Sequence, residues 1–475
     1  MPLSSPSFHF LFSCILKTLI QNSRIATATD DFVGDILIEG EQIVALGQKI
    51  PVTDDIDTLI DGTGKIAIPG GVDPHVHLDM PFMGTYSSDN YETGTRAALF
   101  GGTTTVIDFI LQKQGNSLYS ALEEWSGRAT GNAVGDYSFH MAVTDFNDKT
   151  RQEIRPLVEQ EGITSFKMFM AYRGALMIDD RQMNGLMQEV RDCGGMVTAH
   201  ATNGDMIDYL VAKHRSEGKL SPLYHYLSQP EITEAEASAR FADFGWYNQC
   251  PVYIVHLTCQ GALDAVRRAT LRNQRVMVET CIQYLLLDAS LYERPGFEGA
   301  KWVMSPPLRQ KKDQETLWAG LRQGLVQVVG TDHCPFTWQQ KRMGENDFSK
   351  IPNGHPAIEH RMELLYSEGV RKGRISLNKM VETACTNPAK MFGMFPRKGT
   401  LAPGSDADIV LLDPDQEHVL SAQTHHMNTD YSAYEGWKVH GKVDTVLLRG
   451  QVAIQKGKCL VSKGYGQFIK RGKVG

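Results

Sequence analysis

The sequence predicts an α/β fold, a (β/α)8 TIM-like barrel with a small β-sandwich domain built from both chain ends, and three observations predict it. Through the middle of the chain eight β-branched, apolar segments alternate with longer helix-like stretches, as βα units around a parallel sheet do. Both ends carry short alternating strands separated by turns. The 475 residues suffice for one large domain with an accessory one.

Residues 1–16 contain an apolar run at 8–16, broken by His9 and lacking a basic leader. They read as a disordered extension rather than a signal peptide, too short to span a membrane. Residues 17–67 alternate as small-sheet strands in "KTLIQNSRIATATD", "DILIEG", "EQIVALG" and "IDGTGKIAIPG". That grammar returns over 395–458 in "GSDADIVLLDPD" and "VDTVLLRGQVAIQKGK", so the two stretches form the small β domain. Residues 68–394 form the barrel. Its strands are "GVDPHVH", "GTTTVIDF", "YSFHMAV", "SFKMFMA", "GMVTAH", "PVYIVHL", "VMVET" and "VQVVGTDH". Helices between them, such as "DDRQMNGLMQEVRDCG" and "QGALDAVRRATLRNQ", often close on glycine, a common helix end. The tail, 459–475, is basic and glycine-rich; it is either solvated or packed against a neighbouring subunit.

Lys and Arg number 48 against 55 Asp and Glu, a formal charge of -7 without a basic stripe. Nucleic acid is therefore excluded as a partner, and a small-molecule substrate is favoured. No segment reaches transmembrane length, so no membrane partner is expected. The eight cysteines are scattered without a CxxC pair, the usage of reduced thiols in a cytoplasmic protein. Cys334 stands out because it follows "GTDH".

In such a barrel the chemistry lies at the C-terminal strand ends. His75 and His77 end the first strand, Lys167 lies within the fourth, His200 ends the fifth, His256 stands near the end of the sixth, and Asp332 and His333 end the eighth. Strand side chains alternate with period two, so His75 and His77 share a face and can grip one metal. Taken singly, each has a plainer reading: two strand histidines make a polar patch, and an aspartate caps a turn. Their conjunction at the strand ends of one barrel points to a metal centre.

Lys167 sits among apolar neighbours in "SFKMFM", where an unpaired ammonium is strongly disfavoured. Burial lowers its pKa, and the neutral amine reacts with CO2 to give a carbamate (N6-carboxylysine) able to bridge two metals. The competing reading is a buried lysine paired with a carboxylate such as Asp332. Two divalent ions would polarise a carbonyl and hold a bridging hydroxide, with Asp332 passing its proton to a leaving nitrogen. Imidazole and carboxylate donors suit zinc, with manganese or cobalt as alternatives. The reaction is amide hydrolysis.

The order HxH, strand Lys, His, His, Asp resembles that of the amidohydrolase superfamily. Within it the chain is similar to the dihydropyrimidinase and D-hydantoinase family from about Lys17 onward. The likeness rests on "PGGVDPHVHLDMPFMGTYSSDN", "SFKMFMAYRG", "KWVMSPPLR", "GTDHCPF", "DFSKIPNGHPAIEHRM" and "TNPAKMFGMFPRKGTLAPGSDADIVLLDPD". It implies that His75, His77, carboxylated Lys167 and Asp332 hold one metal and that Lys167, His200 and His256 hold the other. It further implies that Tyr172 supports the developing oxyanion, and that backbone groups of Ser305 and Asn353 bind the cyclic ureide. The implied reaction opens a dihydropyrimidine or 5-substituted hydantoin to an N-carbamoyl amino acid, in a homotetramer or homodimer. Leu78 and Asp79 follow HxH where a dihydroorotase is expected to carry Arg. The alternatives are a non-catalytic scaffold of the same fold, against which all six ligands stand, and an allantoinase-like hydrolase. Thr202, Arg173 and Ile282 depart from the family's usual Glu, Lys and Pro. The loops "MPFMGTYSSDN" and "YRGALMIDD" are expected to line the substrate pocket.

Overall fold

The computed structural model describes residues 16–473. The expected N-terminal extension lies, apart from the exposed Leu16, outside the described residues. Among the described residues, eight parallel strands form one sheet in sequence order: Gly71–Val76, Thr103–Leu111, Asp136–Ala142, Ser165–Phe169, Met196–His200, Val252–Ile254, Val276–Cys281 and Val328–Gly330. Every residue in them is buried, as the near-continuous apolar runs require of a parallel sheet covered on both faces. The sheet curls until its ends meet. The His77 amide donates to the His333 carbonyl (2.8 Å) and the His333 amide to that of His75 (3.3 Å), closing the barrel at its C-terminal mouth.

The intervening helices start where the sequence supplies caps. Asn90 accepts from the amides of Glu92 and Thr93 at the head of Tyr91–Phe100, and Asp179 accepts from Gln182 at the head of Asp180–Asp192. The second of these ends before Gly194, whose φ of +76° is the left-handed conformation glycine adopts freely.

A separate sheet is drawn from both chain ends, as expected. Its strands run in the order Lys458–Cys459, Gln451–Gln455, Lys438–Leu448, Ile409–Val419, Ile66–Pro69, Lys17–Ala26, Asp31–Glu39 and Gln42–Gly47, with Thr58–Asp61 beside Lys17–Ala26. Ile66–Pro69 is the seam: it runs antiparallel to Ile409–Val419 and parallel to Lys17–Ala26. Alternating residues such as Ile20, Ile36, Ile38, Ile409 and Leu411 turn inward and make its core.

The base of the barrel is tied to this sheet by charge. Lys398 Nζ lies 2.7 Å from Asp136 and Asp408 and 3.0 Å from Asp406. Arg449 pairs with Asp136 through Nη1 and donates to the Tyr465 carbonyl at 2.8 Å. The described tail packs on its own barrel. Gln467 and Ile469 bond the third strand at Asp136 and Tyr137, and Phe468 packs on Tyr137 and Phe139. Arg471 is buried, donating to Ser165 Oγ and the Phe139 carbonyl, which fixes the tail where an exposed basic segment was the simpler expectation. No helix among the described residues is long and apolar enough to cross a membrane.

Candidate active site

The mouth of the barrel gathers the predicted residues into one cleft, lined by His75, His77, Lys167, His200, His256 and Asp332, with Tyr172, Ser305 and Asn353 on its rim. The imidazoles and Lys167 are nearly or fully buried. Nε2 of His75 and of His77 approach the same oxygen, Asp332 Oδ1, at 3.0 and 3.1 Å. His256 Nε2 faces His200 Nδ1 at 2.8 Å. One donor atom each from His75, His256 and Asp332 fall within 4.8 Å of one another.

Three of these residues sit in strained backbone. Tyr172, His256 and Asp332 have φ of 66°, 41° and 51°, each just beyond the fourth, sixth or eighth strand. Side chains other than glycine adopt such values rarely and at a cost of about 1–3 kcal/mol, a strain found where a site demands it.

Electrostatics separate the roles. Burial holds His77 down to about 4, His200 to about 3 and His256 well below the usual histidine range, so all three are neutral. His75 is the exception: burial opposes its protonation, but Asp332 and Glu279 outweigh it and raise it to about 9. Against burial, His75 and His77 hold the Asp332 carboxyl well below the usual carboxylate range. Burial pushes Lys167 down to about 8. Its ammonium nitrogen stands over the rings of Phe109 (4.3 Å) and Phe169 (5.3 Å), and among the described residues no carboxylate lies within ion-pair distance. The alternative of a lysine paired with Asp332 is therefore not what the fold builds.

These features fit divalent cations. His75 Nε2 is buried and in no aligned hydrogen bond although Asp332 Oδ1 lies 3.0 Å away, so a nitrogen and a carboxylate oxygen converge on one point that a cation could take in place of the imidazole's proton. The nitrogen and oxygen donors are those zinc takes.

Glu279, which the sequence reading passed over, completes the site from below. Its Oε1 receives His75 Nδ1 at 2.6 Å and the His256 amide at 3.1 Å, and its Oε2 accepts from the Tyr253 hydroxyl at 2.9 Å. A carboxylate behind Nδ1 fixes the tautomer that leaves Nε2 open. The signal was present: an acidic residue in the fully buried strand "VMVETC" is as anomalous as the lysine in "SFKMFM". Cys281, alongside, is held protonated by burial, as is Cys334 in the cleft wall; neither is a thiolate. The seven described cysteines are unpaired.

At the rim, burial pushes the Tyr172 hydroxyl up to about 12, keeping it a hydrogen-bond donor, with the Ser305 and Asn353 side chains beside it. Ser305 Oγ accepts from Asn353 Nδ2 (3.1 Å) and Gln229 Nε2 (3.2 Å). Both expected loops reach the cleft. Met80 and Phe82 come from the first, whose short hairpin turns at Met83 and Gly84, both with positive φ; Leu176 comes from the second. Phe82 meets Tyr172 edge-on at 5.8 Å. Beyond them a wider, mostly apolar chamber opens past Thr202, Ile207, Val211 and Phe348. Thr202 is buried with its hydroxyl unbonded, Arg173 pairs with Asp205 on the surface, and Ile282 lies in the core. Of the three departures, only Thr202 touches the site.

The amidohydrolase family model matches residues 66–453. The chain is 46% identical over 461 residues to the D-hydantoinase of Geobacillus stearothermophilus, covering 97% of this chain and 98% of that one. It is 38% identical over 464 residues to the dihydropyrimidinase of Rattus norvegicus, covering 96% and 89%. The crystal structure of dihydropyrimidinase from Brevibacillus agri NCHU1002 superposes with a TM-score of 0.96 at 47% identity, covering 97% of this chain and all of that one.

Proposed function

This chain belongs to the amidohydrolase family, and on that premise we propose that it is a hydrolase of cyclic amides, opening dihydropyrimidines or 5-substituted hydantoins to N-carbamoyl amino acids. The observation that carries this is the convergence of four histidines, Asp332 and the uncompensated Lys167 in one cleft, with a protonated tyrosine hydroxyl on its rim.

His75, His77, carboxylated Lys167 and Asp332 would hold one divalent ion, and Lys167, His200 and His256 the other. When bound, the pair supplies Lewis-acid polarisation of the ring carbonyl and brings the pKa of water toward neutrality. Zinc is the ion the donors favour, with manganese or cobalt as alternatives. The chain's residues do the rest. Near neutral pH Lys167, at about 8, has a neutral fraction whose nitrogen adds to CO2, releasing one proton. Asp332, ionised, takes a proton at Oδ1 from the attacking water and returns it to the ring nitrogen as the C–N bond breaks. The Tyr172 hydroxyl donates to the carbonyl oxygen as it gains charge. Ser305 and Asn353 orient the ureide, while Phe82 and Leu176 meet the ring substituent. Residues 68–394 carry this chemistry, and the protein works in the cytoplasm as a homotetramer or homodimer.

Hydrolysis of dihydrouracil and a 5-aryl hydantoin, with metal analysis of the same preparation, tests the reading. Turnover with bound metal supports it; bound metal without turnover on any cyclic ureide overturns the substrate class, and absence of bound metal overturns the mechanism. Loss of a CO2 mass on acid treatment of the intact protein tests the lysine carbamate.

A further inference from the structure

Behind the rim of the cleft lies a second fully buried lysine that the chemistry above does not use. Lys341 Nζ donates to three backbone carbonyls: Val303 at 2.8 Å, Pro352 at 2.8 Å and Gly354 at 2.9 Å. Burial pushes Lys341 down to about 7, and the three carbonyls give each proton of its ammonium form an acceptor. The side chain reaches these carbonyls from the short helix Trp338–Lys341, past the ring of Phe336 at 5.7 Å.

The acceptors are not arbitrary. Val303 precedes Ser305 by two residues, and Pro352 and Gly354 flank Asn353. We propose that Lys341 is the positioning residue for substrate binding, clamping the segments 303–305 and 352–354 into one rigid ureide-binding rim. This rests on the proposed role of Ser305 and Asn353 toward the substrate.

Two further observations converge on it. The segments are bonded to each other as well as to the lysine: the Gly354 amide donates to the Val303 carbonyl at 3.0 Å, and Asn353 Nδ2 to Ser305 Oγ at 3.1 Å. Gly354 is packed so closely that a Cβ there would meet the Cys334 carbonyl at 2.0 Å, so the backbone has little room to settle elsewhere. The bond to Pro352 has an electronic consequence too. Its carbonyl and the Asn353 N–H belong to one amide, so a donor on the oxygen polarises that N–H and makes it a stronger donor. Lys341 touches neither substrate nor metal ligands; it acts through the peptide groups it holds.

The test compares wild type with Lys341→Met and Lys341→Arg as full-length, metal-loaded protein, reading kcat, KM for dihydrouracil, metal content and thermal midpoint. Lys341→Met is expected to raise KM by about 10- to 100-fold with metal content kept. Lys341→Arg retains charge but cannot direct a planar fork at three carbonyls, and is expected to be affected as well. If Lys341→Met does not accumulate as folded protein, Lys341→Gln, which keeps two donors, is read the same way. Unchanged KM in a folded variant overturns the proposal, as does a loss confined to stability or metal content. Wild type that turns over no cyclic ureide overturns the underlying functional reading instead.

Discussion

The two ends of the barrel bury polar groups to opposite effect. At the base, Lys398, Arg449, Asp136, Asp406 and Asp408 answer one another, and Asp136 and Asp408 also accept the backbone amides of Gln467 and Arg449, both at 2.9 Å. At the mouth, imidazoles face imidazoles, His75 Nε2 and His77 Nδ1 have no hydrogen-bond partner, and Lys167 has no counter-ion within reach among the described residues. Burial alone therefore does not mark a functional site. A closed network is a fastening; an open, convergent one awaits a ligand, and its unpaired groups are tolerated because the surrounding barrel is held by other means.

The sharpest way to break this contrast is to substitute residues singly at the two ends. Asp332→Asn should lower kcat by about 10²- to 10⁴-fold while the thermal midpoint is kept, since the proton carrier is lost from an already open site. Tyr172→Phe should lower kcat by about 10²- to 10³-fold with a smaller effect on KM, because its hydroxyl serves developing charge. Steady-state kinetics on dihydrouracil checks both. Lys398→Met should do the reverse, costing about 3–5 kcal/mol of stability by leaving buried carboxylates unanswered, with the kcat of the folded fraction unchanged. Denaturant titration checks it. Equal loss of stability at both ends would erase the distinction.

The base network also sets a pH dependence. Burial opposes the charge on Lys398, but Asp408, Asp136 and Asp406 raise its pKa above the ordinary lysine value. Its contribution is therefore fully present below that value and is lost as pH rises through the raised one. Asp136 is held below the usual range by Lys398 and Arg449 against burial, so its contribution is present above ordinary carboxylate pH and lost as pH falls through the depressed value. Thermal midpoints across pH should fall at both extremes, and Lys398→Met should flatten the alkaline limb. The smallest effect belongs to the loops: Phe82→Ala should shift the ratio of kcat/KM between a 5-aryl hydantoin and dihydrouracil by about tenfold, and an unchanged ratio would remove Phe82 from substituent recognition.

Part of the mouth was legible because several of its residues stand out in sequence. Two histidines at period two, a lysine inside an apolar strand and an aspartate at a strand end are anomalies in sequence, and the barrel topology brings them together. Glu279 stands out in the same way, yet its role depends on lying beneath His75, a pairing across 204 residues that no local pattern announces. Ser305 and Asn353 stand outside the helices and strands and read as turn residues in sequence; only family resemblance singled them out. Lys341 was silent because its partners are carbonyls, which every residue carries. The tail's packing on the barrel was illegible for a similar reason, since a basic, glycine-rich composition does not reveal that Arg471 is buried against the third strand.

The central claim, that the open end of the barrel is a metal-dependent amide-hydrolysing site, is tested most directly by one titration. Dihydrouracil hydrolysis is followed as bound metal is removed with a chelator and then restored with Zn²⁺. The account predicts that turnover falls with metal content and returns with it, while the fold, held at the base, persists throughout. Undiminished hydrolysis by metal-free protein would contradict it.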